Sequence, residues 1–134
     1  MPEGNLEKVK YGFAALARGD IEEMLTVVHP EIELLPLSGK LVDSRSYHGH
    51  EGVREWDRTR RDAWENLEFL PEEYEDLGDA VLVHGEVRSR GAASGVELDT
   101  QVSWLFEFRE GKVARLEAFL DRDEAHAAAQ SPPA

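Results

Sequence analysis

The sequence predicts an α+β fold in which three N-terminal helices pack against a curved, mixed or antiparallel sheet. Three observations lead to this fold class. The chain has 134 residues, a length typical of one domain. Apolar residues recur every three to four positions in the first half, which indicates helices, and mostly alternate with polar residues in the second half, which indicates strands. A run of helices followed by a run of strands is typical of α+β domains.

The first half carries the pattern of three helices. We expect the first to begin with Asn5 as its N-cap and to end at Gly19, a residue suited to a left-handed stop. Asp20 caps the second helix, and Pro30 closes it because the residue before a proline avoids helical geometry. The third helix covers about residues 50–64. Its apolar face is marked, at helical spacing, by Val53, Trp56, Arg60 and Trp64.

A short strand over 31–35 and a long loop over 36–49 lie between the second and third helices. A loop of that length either forms a lid or pocket wall or is an irregular connection. The second half is predicted as a meander of strands that curl over the helices and leave a conical cavity. These strands cover residues 67–69, 81–88, 96–109 and 113–120.

Two residues modify this meander. Pro71 restricts the first of its strands to a sheet edge or a bend. Gly85 either leaves room for a ligand or bends its strand. A last helix is capped by Asp121, and residues 131–134 form a frayed tail. We therefore expect a single domain over 1–134 with its core at about 5–128.

The composition excludes several classes of function. Lys plus Arg is 15 and Asp plus Glu is 28, which gives a net charge of −13 and argues against nucleic acid or an anionic membrane as a partner. The absence of cysteine excludes disulfides, thiolate metal sites and a cysteine nucleophile. No apolar run is long enough for a membrane span or a signal-peptide core, so we expect a cytoplasmic protein. We expect neither a cofactor nor a metal ion.

Six short motifs, in a fixed order, carry a family resemblance over about residues 5–128. They are GDIE at 19–22, HPEI at 29–32, YHGHEGV at 47–53, GDAVLV at 78–83, GKV at 111–113 and FLDRDEA at 119–125. This set resembles the SnoaL-like polyketide cyclase group of the nuclear transport factor 2-like, or ketosteroid isomerase-like, superfamily. The resemblance implies a cone-shaped, cystatin-like α+β barrel, a pocket for a small hydrophobic molecule, and a homodimer. It leaves the reaction open, because isomerases, cyclases and dehydratases share this fold.

The catalytic set that the resemblance implies for ketosteroid isomerase is incomplete here. The base of that enzyme precedes a proline at the end of the first strand, where this chain has Leu35 before Pro36. The aspartate of its oxyanion pair aligns with Trp104, and its donor tyrosine falls near Tyr11 without a clean match. We therefore do not expect ordinary ketosteroid isomerase chemistry, which needs both a base and a neutral donor pair.

Two residues are candidate catalytic groups. Arg60 falls on an apolar stripe, where a guanidinium needs an anionic or carbonyl partner. It either binds a ligand oxygen, or extends past Trp56 to solvent, or pairs with a structural carboxylate such as Glu33. His48 is expected at the cavity mouth, either as a general acid or base or as a turn or helix-capping residue.

The candidate ligand-binding residues line the expected cone. They are Tyr11, Leu35, Trp56, Trp104 and Leu120. Three functions remain open from these residues: a small isomerase, cyclase or dehydratase, a non-catalytic binding module, and a structural dimer whose cone is filled by its own side chains. The histidines at 29, 84 and 126 are given no chemical role.

Overall fold

The computed structural model describes residues 4–36, 46–91 and 95–130, which form a curved, unclosed six-stranded sheet with helices packed on it. The predicted α+β class is confirmed. The helices are α1 (Asn5–Ala17), α2 (Ile21–Leu25), α3 (Gly49–Ala63) and α4 (Arg122–Gln130). The strands are β1 (Val28–Leu35), β2 (Tyr47–His48), β3 (Trp64–Asp76), β4 (Ala80–Gly91), β5 (Glu97–Arg109) and β6 (Lys112–Phe119).

The ends of the first two helices follow local sequence signals. Gly19 has a φ of +74°, and the side chain of Asp20 accepts a hydrogen bond of 3.1 Å from the Glu23 amide, both as predicted. Asn5 is not the N-cap. Gly4 occupies that position without a side-chain cap, and Asn5 Nδ2 instead donates to the Gly78 carbonyl at 2.8 Å. This bond ties the start of α1 to the turn between β3 and β4.

The sheet has the strand order β2-β1-β6-β5-β4-β3, with β1 and β6 parallel and every other neighbouring pair antiparallel. β1 is longer than the predicted strand at 31–35, because Pro30 lies inside it rather than closing a helix. β2 lies within the predicted loop at 36–49, and positions 37–45 of that loop lie outside the described residues.

β3 forms the edge of the sheet, and its proline and the facing glycine explain how it pairs. The edge position tolerates Pro71, which has no amide hydrogen, and the register shifts between Pro71 and Glu73 as in a β-bulge. Gly85 of β4 pairs with Pro71, and a Cβ on Gly85 would lie 2.2 Å from the Leu70 carbonyl oxygen. Close backbone approach, rather than room for a ligand, therefore requires this glycine.

The two faces of the sheet bury different clusters. The concave face carries the main core, to which β4 contributes Val81 and Val83, with α1, α2 and α3 packed over it. The convex face carries a smaller cluster under α4. Its buried members are Leu82, Leu105, Phe119 and Ala125. No helix in the described part of the chain is long and apolar enough to cross a membrane.

Candidate ligand-binding site

A cavity of about 350 Å³ lies between the helices and the concave face of the sheet. Its volume falls within the range of about 300–1,000 Å³ that is usual for small-molecule sites. Most of the lining is aliphatic or aromatic, and every concave element contributes to it. Representative lining residues are Val9, Phe13, Trp56, Phe69, Val102 and Ala118. An open cavity counts against a structural dimer whose cone is filled by its own side chains.

Aromatic rings form one wall of the cavity. Phe13 of α1 meets Trp104 of β5 edge-on, with ring centroids 5.3 Å apart and planes at 69°. Phe69 of β3 meets the same indole edge-on at 6.2 Å. Because edge-to-face contacts fix ring orientation, this wall is held in shape by rings from three elements.

One charged side chain dominates the polar part of the lining. α3 presents Val53, Trp56 and Arg60 to the cavity at helical spacing. The Arg60 side chain is only 13% exposed, and its Nη2 lies 2.6 Å from Asp57 Oδ1. The guanidinium carbon lies 5.2 Å from the Trp56 ring centroid and 5.9 Å from that of Phe69. Charge pairing and cation–π contact therefore hold the cation at the cavity wall.

Asp57 pairs with two arginines that lie one helical turn further along α3. Its side chain is 8% exposed, and its Oδ2 lies 3.1 Å from Arg61 Nε. Oδ1 is close to Arg60 but is not aligned for a hydrogen bond. Arg60 Nε is also buried and has no hydrogen-bond partner among the residues that the structure describes. Because a buried donor without a partner is costly, the described protein groups satisfy the Arg60 guanidinium incompletely.

The remaining polar lining groups are weaker donors or are engaged elsewhere. Lys8 Nζ donates to the Gly111 carbonyl at 2.5 Å. Ser89 Oγ donates to the Leu98 carbonyl at 3.5 Å. Over 4–36, 46–91 and 95–130, the lining contains no carboxylate and no histidine. Arg60 is therefore the group best placed to recognise charge in a ligand.

A family model described as a SnoaL-like domain matches residues 9–116. The chain belongs to the SnoaL-like domain family. The predicted resemblance is thus confirmed, and the cavity is the interior of a SnoaL-like fold. No curated protein matches the chain significantly.

Solved structures with the same architecture cover nearly the whole chain. TerC, crystallised with polyporic acid, is 26% identical with a TM-score of 0.77, over 95% of this chain and 98% of TerC. An NTF2-like protein of unknown function from Burkholderia pseudomallei K96243 is 19% identical with a TM-score of 0.79, over 95% and 98% of the two chains. A candidate SnoaL-like polyketide cyclase from Jannaschia sp. CCS1 is 19% identical with a TM-score of 0.75, over 99% and 97%. The last two likenesses show the fold alone.

Four of the predicted site residues meet in the SnoaL-like cavity. They are Leu35, Trp56, Arg60 and Trp104. Tyr11 is half-buried against the core but does not line the cavity. Leu120 is 49% exposed and also lies outside the lining, contrary to the prediction. The reason is that β6 ends at Phe119, so that Ala118 takes the inward position.

His48 does not reach the cavity of this SnoaL-like domain. It lies on β2 with an exposed side chain, in a separate shallow depression that also includes Glu51 and Arg58. Successive strand residues face opposite sides, and on β2 it is Tyr47 that is buried and lines the cavity. The predicted place of His48 at the cavity mouth is therefore wrong.

The partner of Arg60 is neither solvent nor Glu33. Glu33 pairs with Arg115 on the other face of the sheet, at 3.4 Å. Sequence reasoning missed Asp57, although its spacing of three residues from Arg60 and four from Arg61 places all three side chains on one side of a helix. That spacing was the available signal, and it was hidden among the many charges of α3.

Proposed function

We propose that the protein binds a small, largely apolar molecule with an anionic or carbonyl oxygen in the concave cavity, and that Arg60 recognises that oxygen. The observation that carries this proposal is the buried Arg60 guanidinium, held by Asp57 at the wall of an apolar cavity, with Nε unpartnered in the described chain. Hydrogen bonds from a charged donor are stronger than neutral ones, and a low local dielectric strengthens them further.

TerC supports the chemical class of the ligand. That protein was crystallised with polyporic acid, a compound that is an acid by name. An acidic ligand with an apolar body matches a cavity that joins aromatic walls to one cation. We therefore take polyporic acid as the first probe for the cavity of this chain.

A cyclase-type reaction on the bound molecule is the second candidate function. Ring closure of a poly-β-ketone passes through an enolate, which forms when an acidic α-hydrogen is lost to water, and a preorganised guanidinium stabilises the negative oxygen of that enolate. The Arg60–Asp57 pair is such a group, and the match to the SnoaL-like domain model supports this reaction. In this case Arg60 acts on the rate of the chemical step as well as on ligand affinity.

Binding is tested by calorimetric titration with polyporic acid. The key variant is Asp57→Asn combined with Arg60→Gln, which removes both charges and leaves no unpaired ion in the wall. We expect its Kd to rise about 10- to 100-fold, the worth of one hydrogen bond from a charged donor. His48→Gln is the control and should bind like the wild type, because His48 lies outside the cavity.

A methylated derivative of polyporic acid, which cannot ionise, sharpens this test. The double substitution should weaken binding of this derivative less than it weakens binding of the free acid, since the derivative offers Arg60 a neutral oxygen and no anion. Equal affinity of both proteins for the free acid would contradict the role of Arg60. A loss of affinity in the His48→Gln variant would contradict the location of the site.

Turnover is tested separately with a linear poly-β-ketone probe, followed by loss of the open chain and appearance of the ring. A fall in kcat in the Arg60→Lys variant, with KM little changed, is the expected sign of transition-state stabilisation. Tight binding without turnover would support the non-catalytic binding module instead.

The homodimer and the cytoplasmic location remain proposals. The family resemblance supports the first, and the absence of cysteine and the acidic composition are compatible with the second. Light scattering on the purified chain measures the oligomeric state directly.

A further inference from the structure

A cluster of polar side chains lies on the convex face of the sheet, beneath α4. His84 of β4 places Nε2 2.6 Å from Oε2 of Glu75 on β3. His126 of α4 places its own Nε2 2.8 Å from the same oxygen. The two imidazole rings are 5.2 Å apart. Two ring nitrogens and one carboxylate, from three different elements, thus converge with their ligand atoms within 4.8 Å of one another.

This cluster is separate from the cavity. Val83 faces the concave side, so its neighbour His84 faces the convex side. None of Glu75, His84 and His126 lines the cavity. The His84 side chain is buried, whereas the other two are about one third exposed, at 32% and 35%. A small ligand can therefore reach the cluster from solvent without opening the core.

Ser103 orients the buried histidine. Its Oγ, on β5, lies 2.7 Å from His84 Nδ1. When the hydroxyl accepts the Nδ1 hydrogen, the Nε2 lone pair of His84 is directed at the point where Glu75 and His126 meet. Histidines that bind metals usually donate their other ring N–H to a hydrogen-bond acceptor, such as a carboxylate, a carbonyl or water. The hydrogen-bonding of His84 therefore matches that of a metal ligand.

We propose that Glu75, His84 and His126 bind a divalent transition metal ion, with Zn²⁺ as the best match. Imidazole nitrogen and carboxylate oxygen bind Zn²⁺ at about 2.0–2.2 Å, which separates the ligand atoms of a tetrahedral site by about 3.4 Å. The separations of 2.6 and 2.8 Å are shorter and the set as a whole spans 4.8 Å, so the partly exposed side chains of Glu75 and His126 must each shift by about 1 Å as the ion enters.

The bound ion links β3, β4 and α4. Three protein ligands leave one coordination position of a tetrahedral ion for water or another molecule. Positions 75, 84 and 126 have no diagnostic spacing in the sequence. They come together only through the pairing of β3 with β4 and the docking of α4 on the convex face.

The proposal is tested on the full chain after treatment with EDTA and dialysis. Titration with Zn²⁺ should show one ion bound per chain, and Co²⁺ should give the visible absorption of a four-coordinate site. Ser103→Ala should weaken binding about 10- to 100-fold, as expected for loss of an orienting partner. Glu75→Gln and His126→Gln each remove a ligand and should weaken it more.

Two matched controls separate metal binding from a general loosening of α4. Glu73→Gln removes a carboxylate from the same strand that pairs with Arg122 at the start of α4. His48→Gln removes an exposed histidine from elsewhere on the surface. Both variants should bind Zn²⁺ like the wild type.

Two results would overturn the proposal. One is a wild-type chain that binds less than one equivalent of Zn²⁺ and gives no Co²⁺ absorption. The other is a His126→Gln variant that keeps wild-type affinity for Zn²⁺. This variant is the decisive one because the His126 side chain is partly exposed, so we expect its replacement to leave the fold intact. Circular dichroism in EDTA verifies that each variant is folded.

Discussion

The arginine on the concave side of the sheet and the arginine on its convex side differ in burial and in the number of their carboxylate partners. On the concave side, Arg60 is enclosed with Asp57 and stacks near Trp56, with one buried donor atom unpartnered in the described chain. On the convex side, Arg115 is 38% exposed and reaches three carboxylates. These belong to Glu33, Glu107 and Glu117, at 3.4, 3.3 and 3.1 Å.

The difference separates a ligand-recognition cation from a structural one. Burial lowers the pKa of the Arg115 guanidinium, but Glu117, Glu107 and Glu33 together outweigh it and the pKa is raised. Arg115 therefore has three carboxylate partners within the protein and is also in contact with solvent. Arg60 has one carboxylate, and its Nε is unpartnered in the described chain, so its hydrogen bonding within the protein is less complete.

The largest expected loss of stability comes from substituting the glycine that allows β3 and β4 to pair closely. Gly85→Ala would place a Cβ 2.2 Å from the Leu70 carbonyl oxygen, so β3 must move away from β4. We expect a loss of about 3 kcal/mol in the free energy of unfolding, at the upper end for an overpacked site. Because β3 carries both Phe69 and Glu75, affinities for polyporic acid and for Zn²⁺ should fall together. Urea unfolding and the two titrations measure these effects.

Gly12→Ala is the matched control for this substitution. Its Cβ would meet only the Met24 side chain at 3.7 Å and that of Val27 at 3.9 Å, both ordinary contacts. Alanine in a helix interior is favoured over glycine by about 0.5–1 kcal/mol, so this variant should be more stable than the wild type. Equal stability of the two alanine variants would show that β3 and β4 are not closely paired at Gly85.

Much of the fold could be predicted because its signals are local. Strand alternation turns Val83 inward and His84 outward, and helical spacing places Val53, Trp56 and Arg60 on one face of α3. Both patterns predict which side chains are buried, and neither depends on contacts between distant segments. The strand through Pro30 was missed because a local proline rule was overridden by parallel pairing of β1 with β6. Pairing between distant segments leaves no periodic trace in one sequence.

The candidate sites were predictable to different degrees for the same reason. Arg60 could be predicted as a site residue because a charge on an apolar helical stripe is evident from the local sequence. Trp104 could be predicted because it lies on the inward face of an alternating strand. The contact of His84 with Glu75 depends on the register of β3 against β4, and that with His126 on where α4 docks. Neither is set by local sequence.

The next largest loss of stability is expected for the enclosed pair of Asp57 and Arg60 on the concave side. Asp57→Asn leaves the Arg60 charge buried with no carboxylate, and we expect it to lower the free energy of unfolding by about 2 kcal/mol, as for a buried donor left without its acceptor. Arg60→Gln should cost less, because Asp57 keeps Arg61 at 3.1 Å. The double variant should cost less than the sum of the two, with a coupling of about 1 kcal/mol or more.

Urea unfolding of the four proteins in this cycle measures the coupling. Strict additivity would contradict the pairing and would place Arg60 as an independently solvated side chain. In that case the concave and convex arginines would not differ in the way the structure indicates.

The smallest effect is expected for the exposed arginine of the convex face. Arg115→Met removes a cation that is more than one third exposed, and pairs of this kind contribute at most about 1 kcal/mol. We expect a loss below that value at low salt, arising from repulsion among the three carboxylates. Salt screens exposed charges over about 10 Å at 0.1 M, so the loss should shrink as salt is added.

Arg115→Lys is the control, since it keeps the charge, and it should retain most of the stability at every salt concentration. The Asp57→Asn loss on the concave side should change little with salt, because enclosed charges are screened less. Urea unfolding at low and high salt compares the two directly. If the loss of stability in Arg115→Met did not depend on salt, the convex network would not be solvated. If the loss in Asp57→Asn were sensitive to salt, the concave pair would not be enclosed.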